Sequence, residues 1–410
     1  MLRMAPVKPL HGSDLRGVAR LATDATAGLA DLVEAMHERI ARVPGLPGAR
    51  LDGRTRGITG LVYRSARGVT RLVGGSIEAL LGLLAPALGP EDPVPEREAL
   101  IAALNGVLGD HLAATANPLA TPMALRRDGR ALALEPGALA GRLPDAGRQP
   151  LVLIHGLCMN DLQWTRGGHD HGAALAAALG FTPVYLHYNS GLHVSTNGRA
   201  LARLLESLVE QWPCPVERLV LLGHSMGGLL ARSAVHHGLR AQHRWTARLT
   251  DMVFLGTPHH GAPLERAGHG LDIVLGATPY AAPLARLGRV RSAGITDLHH
   301  GNLLDEDWVG RDRLDRRADR RQPVPLPAGV RCFAVAGSIG RRSGDLKERL
   351  LGDGLVPLDS ALGRHADPSR GLDVPPGRQW TGQGIHHLDL LASKQVGDQV
   401  QRWMDPGGSG

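Results

Sequence analysis

The sequence predicts an α/β architecture, a mostly parallel sheet with helices on both faces, preceded by a helical region and interrupted by a lid-like insertion. Three observations predict it. Short unbroken apolar runs alternate with helix-patterned stretches from about residue 150 onward. One serine is hemmed in by glycines where such a run meets a helical pattern, in "RLVLLGHSMGGLLAR". The region before about residue 120 carries helical periodicity instead.

In chain order, "VARLATDATAGLADLVEAMHERIARV", "GITGLVYRSARGVTRLVGGSIEALLGLL" and "EREALIAALNGVLGDHLAA" place apolar residues at three- and four-residue steps. The Gly/Pro clusters "PGLPGAR" and "ALGPEDPVPE" break them apart, which predicts a helical domain over 1–125 and an α/β domain over 126–410. The residues of the helical domain point to a packing or dimerising appendage. Its most apolar span, "LVGGSIEALLGLLAPAL" at 72–88, carries Glu78 and has only about the length of a minimal spanning helix, so it is read as a buried or peripheral helix. Peripheral membrane contact through these helices is therefore a partner to consider. The N-terminus "MLRMAPVKPLHGSDLRG" lacks the unbroken apolar core of a signal peptide, and a cytoplasmic location is expected, with membrane association left open.

The runs "PLVLIHG", "TPVYLHY", "RLVLLGHS", "DMVFLGTP" and "RCFAVAGS" are continuous rather than alternating, as strands buried on both faces are. Helix-like segments such as "NGRALARLLESLVEQW" and "GGLLARSAVHHGL" separate them. The interval 259–328 interrupts this rhythm with Gly, Pro, His and the charged run "DEDWVGRDRLDRRADRR", and its place between two strands predicts a lid.

Composition narrows the function classes. At 410 residues and 43% hydrophobic content the chain can bury a sizeable core. The net charge of +7 comes from 46 Lys+Arg against 39 Asp+Glu spread along the chain, and aromatics make up only 3%, so nucleic acid is not the expected partner. Cys158, Cys214 and Cys332 lie far apart with no CxxC pair, which argues against a disulfide framework or a thiolate metal site and for a reducing compartment. No cofactor is implied. The pairs His236-His237, His259-His260 and His299-His300 are adjacent in sequence, and neighbouring residues seldom point at one metal; a zinc or calcium site in the insertion is the minor reading beside hydrogen-bonded histidines.

Gly223-His224-Ser225-Met226-Gly227 has the G-x-S-x-G pattern of a nucleophile elbow, with a strand before it and a helix after it. A serine hydroxyl needs a base to become a nucleophile, and a tight turn flanked by glycines presents it outward at a helix N-terminus that favours negative charge. His155-Gly156 follows the first buried run, where a loop can supply an oxyanion donor; the backbone N–H groups of Leu157 and Met226 are the expected pair. An acid and then a histidine should follow. Asp353, in "GDGLVPLDS", is preferred over Asp359 because glycines flank it. "GQGIHHLDLLAS" offers His386 and His387; His387 is taken as the base and His386 as the runner-up.

With these residues assembled, 150–405 resembles the α/β-hydrolase superfamily, in particular bacterial lipases and esterases and the GPI inositol-deacylase-like group. The matching pieces are "LIHGL", "GHSMGG", "LGTPHHGAP", "GDGLVP" and "HHLDLL". The resemblance implies the α/β-hydrolase fold, a Ser225-Asp353-His387 triad and an oxyanion hole at Leu157 and Met226, and "HLDLL" favours His387. The expected activity is cleavage of a small-molecule or lipid acyl ester through an acyl-enzyme. Two alternatives stay open: acyl transfer or polyester (polyhydroxyalkanoate-type) turnover with the same triad, and a non-catalytic scaffold that docks on a membrane or granule.

Overall fold

The computed structural model describes residues 16, 17, 20, 95–135, 137–262, 292–310, 319, 321–340 and 352–405. Of the two helices expected before residue 90, all but Arg20 of the first and the whole of the second, with the apolar span 72–88, lie outside the described residues. The chain divides into two units, residues 1–92 with 112–120, and residues 93–111 with 121–410. In the smaller one the Asn117 amide donates to Gly17 O at 3.1 Å and its carbonyl accepts from Leu119 N–H at 2.9 Å. The helix Pro95–Ala114 (α1), assigned by sequence to the helical domain 1–125, has its residues up to His111 in the larger unit.

The larger unit continues through β1 (Ala124–Arg127), β2 (Arg130–Ala131), α2 (Ala138–Arg142), β3 (Pro150–Ile154), α3 (His171–Leu179), β4 (Thr182–His187), α4 (Val194–Gln211) and β5 (Leu219–His224). Then come α5 (Met226–Arg240), β6 (Leu249–Leu255), α6 (Ala293–His300), β7 (Arg331–Ser338), α7 (Leu358–Ala361), β8 (Gln379–Gln383) and α8 (Lys394–Met404). The described strands form one eight-stranded sheet in the order β2-β1-β4-β3-β5-β6-β7-β8. β1 pairs antiparallel with β2 and β4, and the remaining pairs are parallel. All five strands expected from the apolar runs are present; the β1–β2 hairpin and the edge strand β8 were not anticipated.

The unbroken runs follow from burial on two faces. On one face Leu151, Leu153, Val220, Leu222, Val253 and Leu255 pack with Leu175 of α3 and with Val396, Val400 and Met404 of α8. Their sequence neighbours Val152, Ile154, Leu221, Met252 and Phe254 face the other way, onto Leu201, Leu205 and Leu208 of α4 and Leu229 and Leu230 of α5. The α4 positions recur at three- and four-residue steps, which puts one apolar stripe against the sheet.

From β3 the chain passes through α3 to β4 on one side, then through α4 to β5 on the other side of β3. The loops leaving the C-terminal ends of β3 and β5 therefore part company, and a crevice opens between them. Of the expected lid at 259–328, residues 263–291, 311–318 and 320 lie outside the described residues. The described part is docked rather than free: the Ser292 hydroxyl donates to Gly106 O of α1 at 2.6 Å, and buried Asp297 accepts from His193 Nδ1 at 3.0 Å and from Val194 N–H at 2.8 Å. No helix among the described residues is long and apolar enough to cross a membrane.

At the opposite end of the strands one carboxylate ties the sheet together. Asp251 of β6 is fully buried; its Oδ2 accepts from Arg218 Nε at 2.9 Å and its Oδ1 from Arg331 Nε at 2.7 Å, so it bridges the starts of β5 and β7. Arg218 also donates to Met404 O at 3.0 Å, fastening the end of α8. Removing one partner of a buried ion pair costs about 3–5 kcal/mol, and the partial exposure of both arginines favours the lower end. Asp251→Asn is expected to lower unfolding free energy by about 3 kcal/mol in urea titration; a change within experimental error would show that the bridge does not hold these strands.

Candidate active site

The turn between β5 and α5 places Ser225 at φ 54° and ψ −125°, a left-handed backbone that a side-chain-bearing residue adopts only under tertiary constraint. Two backbone bonds supply that constraint. Ser225 N–H donates to Leu255 O of β6 at 2.8 Å, and Gly228 N–H donates to Ser225 O at 3.0 Å. The glycine at 227 is dictated by close approach, since a Cβ there would sit 2.1 Å from Ile154 O at the end of β3. The helix N-terminus is thereby pressed against the neighbouring strand, and Met226 N–H, in the first turn of α5, has no partner in the helix ladder.

Asp353 and His387 are brought together from loops after β7 and β8. His387 Nδ1 lies 2.7 Å from Asp353 Oδ2, and His387 N–H donates to Asp353 O at 3.0 Å. The second carboxylate oxygen of Asp353 accepts from Leu355 and Val356 N–H at 3.0 and 2.8 Å. Both residues are buried. With its Nδ1–H committed to Asp353, the ring keeps Nε2 for proton transfer. Its link to the elbow runs through the residue before the serine: His224 Nε2–H donates to His387 O at 3.1 Å, and the two ring centroids are 4.8 Å apart. No hydrogen bond joins Ser225 Oγ to the His387 ring among the described residues. Gly256 makes room for the dyad, with φ 56° and a missing Cβ that would lie 3.0 Å from Asp353 Oδ2 and 3.2 Å from His387 Cε1.

The rivals lie elsewhere. His386 is exposed, its backbone N–H near Asp389 Oδ2 at 3.4 Å. Asp359, in α7, faces Arg364 at 3.9 Å.

The loop after β3 is fixed from several directions. His155 is fully buried, stacks on Tyr188 at 4.4 Å and donates from Nδ1 to Gly156 O at 2.9 Å; the Tyr188 hydroxyl donates back to His155 O at 2.9 Å. Burial pushes the His155 imidazole down to about 3, so it is neutral. Cys158, at φ 60°, donates its N–H to Ser190 Oγ at 3.0 Å, while Leu157 N–H has no partner among the described residues. The two expected oxyanion donors, Leu157 and Met226, thus flank the crevice at the ends of β3 and β5. Burial also raises the Cys158 thiol to about 12, which removes it as a nucleophile.

Tyr188 and Ser190 were missed by motif reasoning. A signal existed, because polar "YNS" directly follows the buried run of β4 at the same sheet edge as the elbow. Likewise His171, on α3, donates from Nε2 to Leu390 O at 2.8 Å and so braces the loop that carries His387. Among the described residues no group of three or more His, Cys, Asp or Glu side chains is placed to hold a metal ion. The pairs His236-His237 and His299-His300 are packed edge to face at 5.5 and 4.6 Å.

An elbow after β5, an acid after β7 and a histidine after β8, set on this strand order with the crevice at the switch point, decide the architecture. This is an α/β-hydrolase fold. Residues 145–317 match the family model described as PGAP1-like alpha/beta domain, a stretch that holds the His155-Gly156 loop, the Ser225 elbow and the Gly256-Thr257-Pro258-His259 turn. No curated protein matches the chain in sequence. Solved structures similar to it include an esterase of Thermogutta terrifontis (14% identity, 69% of this chain and 93% of that one covered, TM-score 0.37). An esterase of Pyrococcus furiosus (13%, 64% and 83%, TM-score 0.35) and phospholipase PlaB of Legionella pneumophila (17%, 52% and 44%, TM-score 0.33) are also similar. The match spans less than half the length of the Legionella phospholipase.

Burial pushes the histidines around this candidate site toward neutrality: His155 to about 3, His171 to about 4, and His224 well below its usual value, the last with the neighbouring His387 adding to the effect. Each takes up a proton near pH 6.5 once the chain unfolds but not while it is folded, so the unfolded state binds more protons below that pH. Stability is then complete above about pH 6.5 and falls as pH drops toward the folded values, by about 1.4 kcal/mol per pH unit for each ring. Urea midpoints measured between pH 7.5 and 4.5 are expected to decline steeply below 6.5; a flat profile down to pH 5 would show that these rings are protonated in the folded chain.

Proposed function

We propose that the protein is a serine ester hydrolase that works through an acyl-enzyme on Ser225. The observation that carries this reading is the 2.7 Å bond between His387 Nδ1 and Asp353 Oδ2, held beside a serine on a strained strand-to-helix turn. A buried carboxylate that fixes the Nδ1–H tautomer leaves Nε2 as a base, and a serine held at a helix N-terminus beside free backbone N–H groups is the complementary nucleophile.

In the proposed cycle Ser225 Oγ attacks the ester carbonyl carbon while its proton passes to His387 Nε2. The negative oxygen of the tetrahedral adduct is held by Leu157 and Met226 N–H, each worth about 3–4 kcal/mol in comparable sites. As the adduct collapses, the C–O bond to the leaving alcohol breaks and that alcohol takes the proton from His387. Water then enters, gives a proton to His387 and its oxygen to the acyl carbon, and releases the acid with Ser225 restored. Asp353 holds the ring through Nδ1 and stabilises the imidazolium that forms. The substrate class proposed is a small-molecule or lipid acyl ester.

Initial rates on p-nitrophenyl esters from acetyl to palmitoyl test the reading. Ser225→Ala is expected to lower kcat by a factor of about 10⁴–10⁶, and Asp353→Asn by about 10⁴ because the wrong tautomer becomes available. His386→Ala should leave the rates within about twofold of wild type. Undiminished turnover by Ser225→Ala would overturn the assignment of the nucleophile.

A further inference from the structure

A second cavity, of about 270 Å³, lies beside α5, away from the chemistry proposed above. Its wall includes Arg232 of α5, His259, Asp307, Arg321, Val324 and Arg370. Arg232 is the unusual member. It stands seven residues past Ser225, so the helix carries it about 10 Å further along. Only 6% of it is exposed, yet no carboxylate lies within ion-pair distance of its guanidinium among the described residues. NH2 donates to Val324 O at 2.6 Å and NH1 donates to the Nδ1 of His259 at 3.3 Å, while Nε has no partner.

The neighbouring groups do not neutralise this charge. His259 is buried and neutral, and because its Nδ1 accepts from Arg232 its Nε2 carries the proton, which has no acceptor. Arg321 NH1 donates to His259 O and Gly301 O at 3.2 and 2.9 Å, and its NH2 meets Asp319 Oδ2 at 2.6 Å. Arg370 shares that same carboxylate, at 3.3 Å. Asp307 is the carboxylate on the cavity wall, but Oδ2 accepts from Leu303 and Leu304 N–H and Oδ1 from Gln322 N–H, so its lone pairs are committed to backbone. Of the three guanidinium groups on this wall, Arg321 and Arg370 are paired with Asp319, and Arg370 also meets Asp367 at 3.6 Å, so Arg232 alone lacks a carboxylate partner among the described residues. Desolvation of Arg232 lowers its guanidinium to about 9, the direction expected of a buried cation that lacks an anion.

A buried charge without a counterion is costly, and it persists in a fold where something compensates it in use. Arg232 Nε and His259 Nε2, two buried donors on this wall with no acceptor, suit a ligand that offers several oxygens better than a single carboxylate. We propose that this cavity binds a phosphate group, presented either as free phosphate or as the phosphate of a small ester or lipid headgroup. The site stands apart from the reaction at Ser225, and its test needs no turnover.

Thermal unfolding of the full chain at pH 7.5 and constant ionic strength, with chloride replaced by inorganic phosphate, reads the binding directly. Phosphate at a hundredfold excess over its Kd is expected to raise Tm by about 4 °C, saturably. Acetate at equal ionic strength is expected to leave Tm unchanged. Arg232→Met keeps the apolar stem and removes the charge; without phosphate it should melt at or above the wild-type temperature, and the phosphate-dependent rise should vanish. Should that variant not fold, Arg370→Gln at the cavity rim is expected to weaken the phosphate midpoint about tenfold. Glycerol 3-phosphate acting at lower concentration than inorganic phosphate would identify an esterified source, and the reverse order a free one. A phosphate response no larger than that of acetate, or one retained in full by Arg232→Met or by Arg370→Gln, would overturn the proposal.

Discussion

The backbone of Ser225 is the constraint on which the rest of the site depends. A residue with a Cβ at φ 54° is strained by about 1–3 kcal/mol and stays there only if its surroundings leave no alternative. Those surroundings are the parallel sheet itself. β6 accepts the serine N–H through Leu255 O, and the end of β3 lies so close to the start of α5 that a side chain at 227 would collide with Ile154 O. The two sheet faces, each closed by helices, keep β3, β5 and β6 in fixed register, so the strain is met by packing spread over the whole core.

A second layer of organisation comes from buried neutral histidines that act as braces. His224 holds the carbonyl of His387, His171 holds that of Leu390, and His155 stacks on Tyr188 beneath the loop after β3. A neutral imidazole donates one hydrogen bond without the desolvation cost of a cation, and burial keeps it neutral. The loops after β3 and β8 carry the candidate site residues yet have little regular structure of their own. Side-chain-to-backbone bonds from these rings supply the rigidity that loops of that kind otherwise lack.

Much of this was legible in the sequence because one physical rule covers it: strands buried on both faces must be continuously apolar, and each such run from 150 to 338 became a parallel strand. A glycine-flanked turn or a fixed chain order marks Ser225, Asp353 and His387 in the sequence; the structure puts Ser225 on a strained turn and bonds His387 to Asp353. The β1–β2 hairpin escaped notice although Asp128-Gly129, both at positive φ, is a two-residue turn signal; its strands are short, and Arg126, Arg127 and Arg130 mask the pattern. Strand β8 was obscured by "QWTGQ", an edge sequence with polar residues on its open side. Tyr188, Ser190 and His171 were not named because a bracing role depends on which distant carbonyl or amide the fold brings near, and no local pattern encodes that.

The charged residues show how the same side chain serves two ends. Arg218 and Arg331 meet one fully buried carboxylate, Asp251, and the three together knit the starts of β5, β6 and β7. Arg232 is buried more deeply than either and meets none. Had Arg232 a purely structural task, a carboxylate or an apolar residue of similar volume would serve more stably, since a buried ion pair rarely outperforms a hydrophobic replacement and an unpaired charge is worse than both. Its hydrogen bonds to Val324 O and His259 Nδ1 leave its Nε without a partner and its charge unpaired, whereas Arg321 and Arg370 on the same cavity wall are both paired with Asp319. A fold that compensates its arginines at the base of the sheet and leaves one uncompensated beside the helix that presents Ser225 has reserved that charge for a partner from outside the chain.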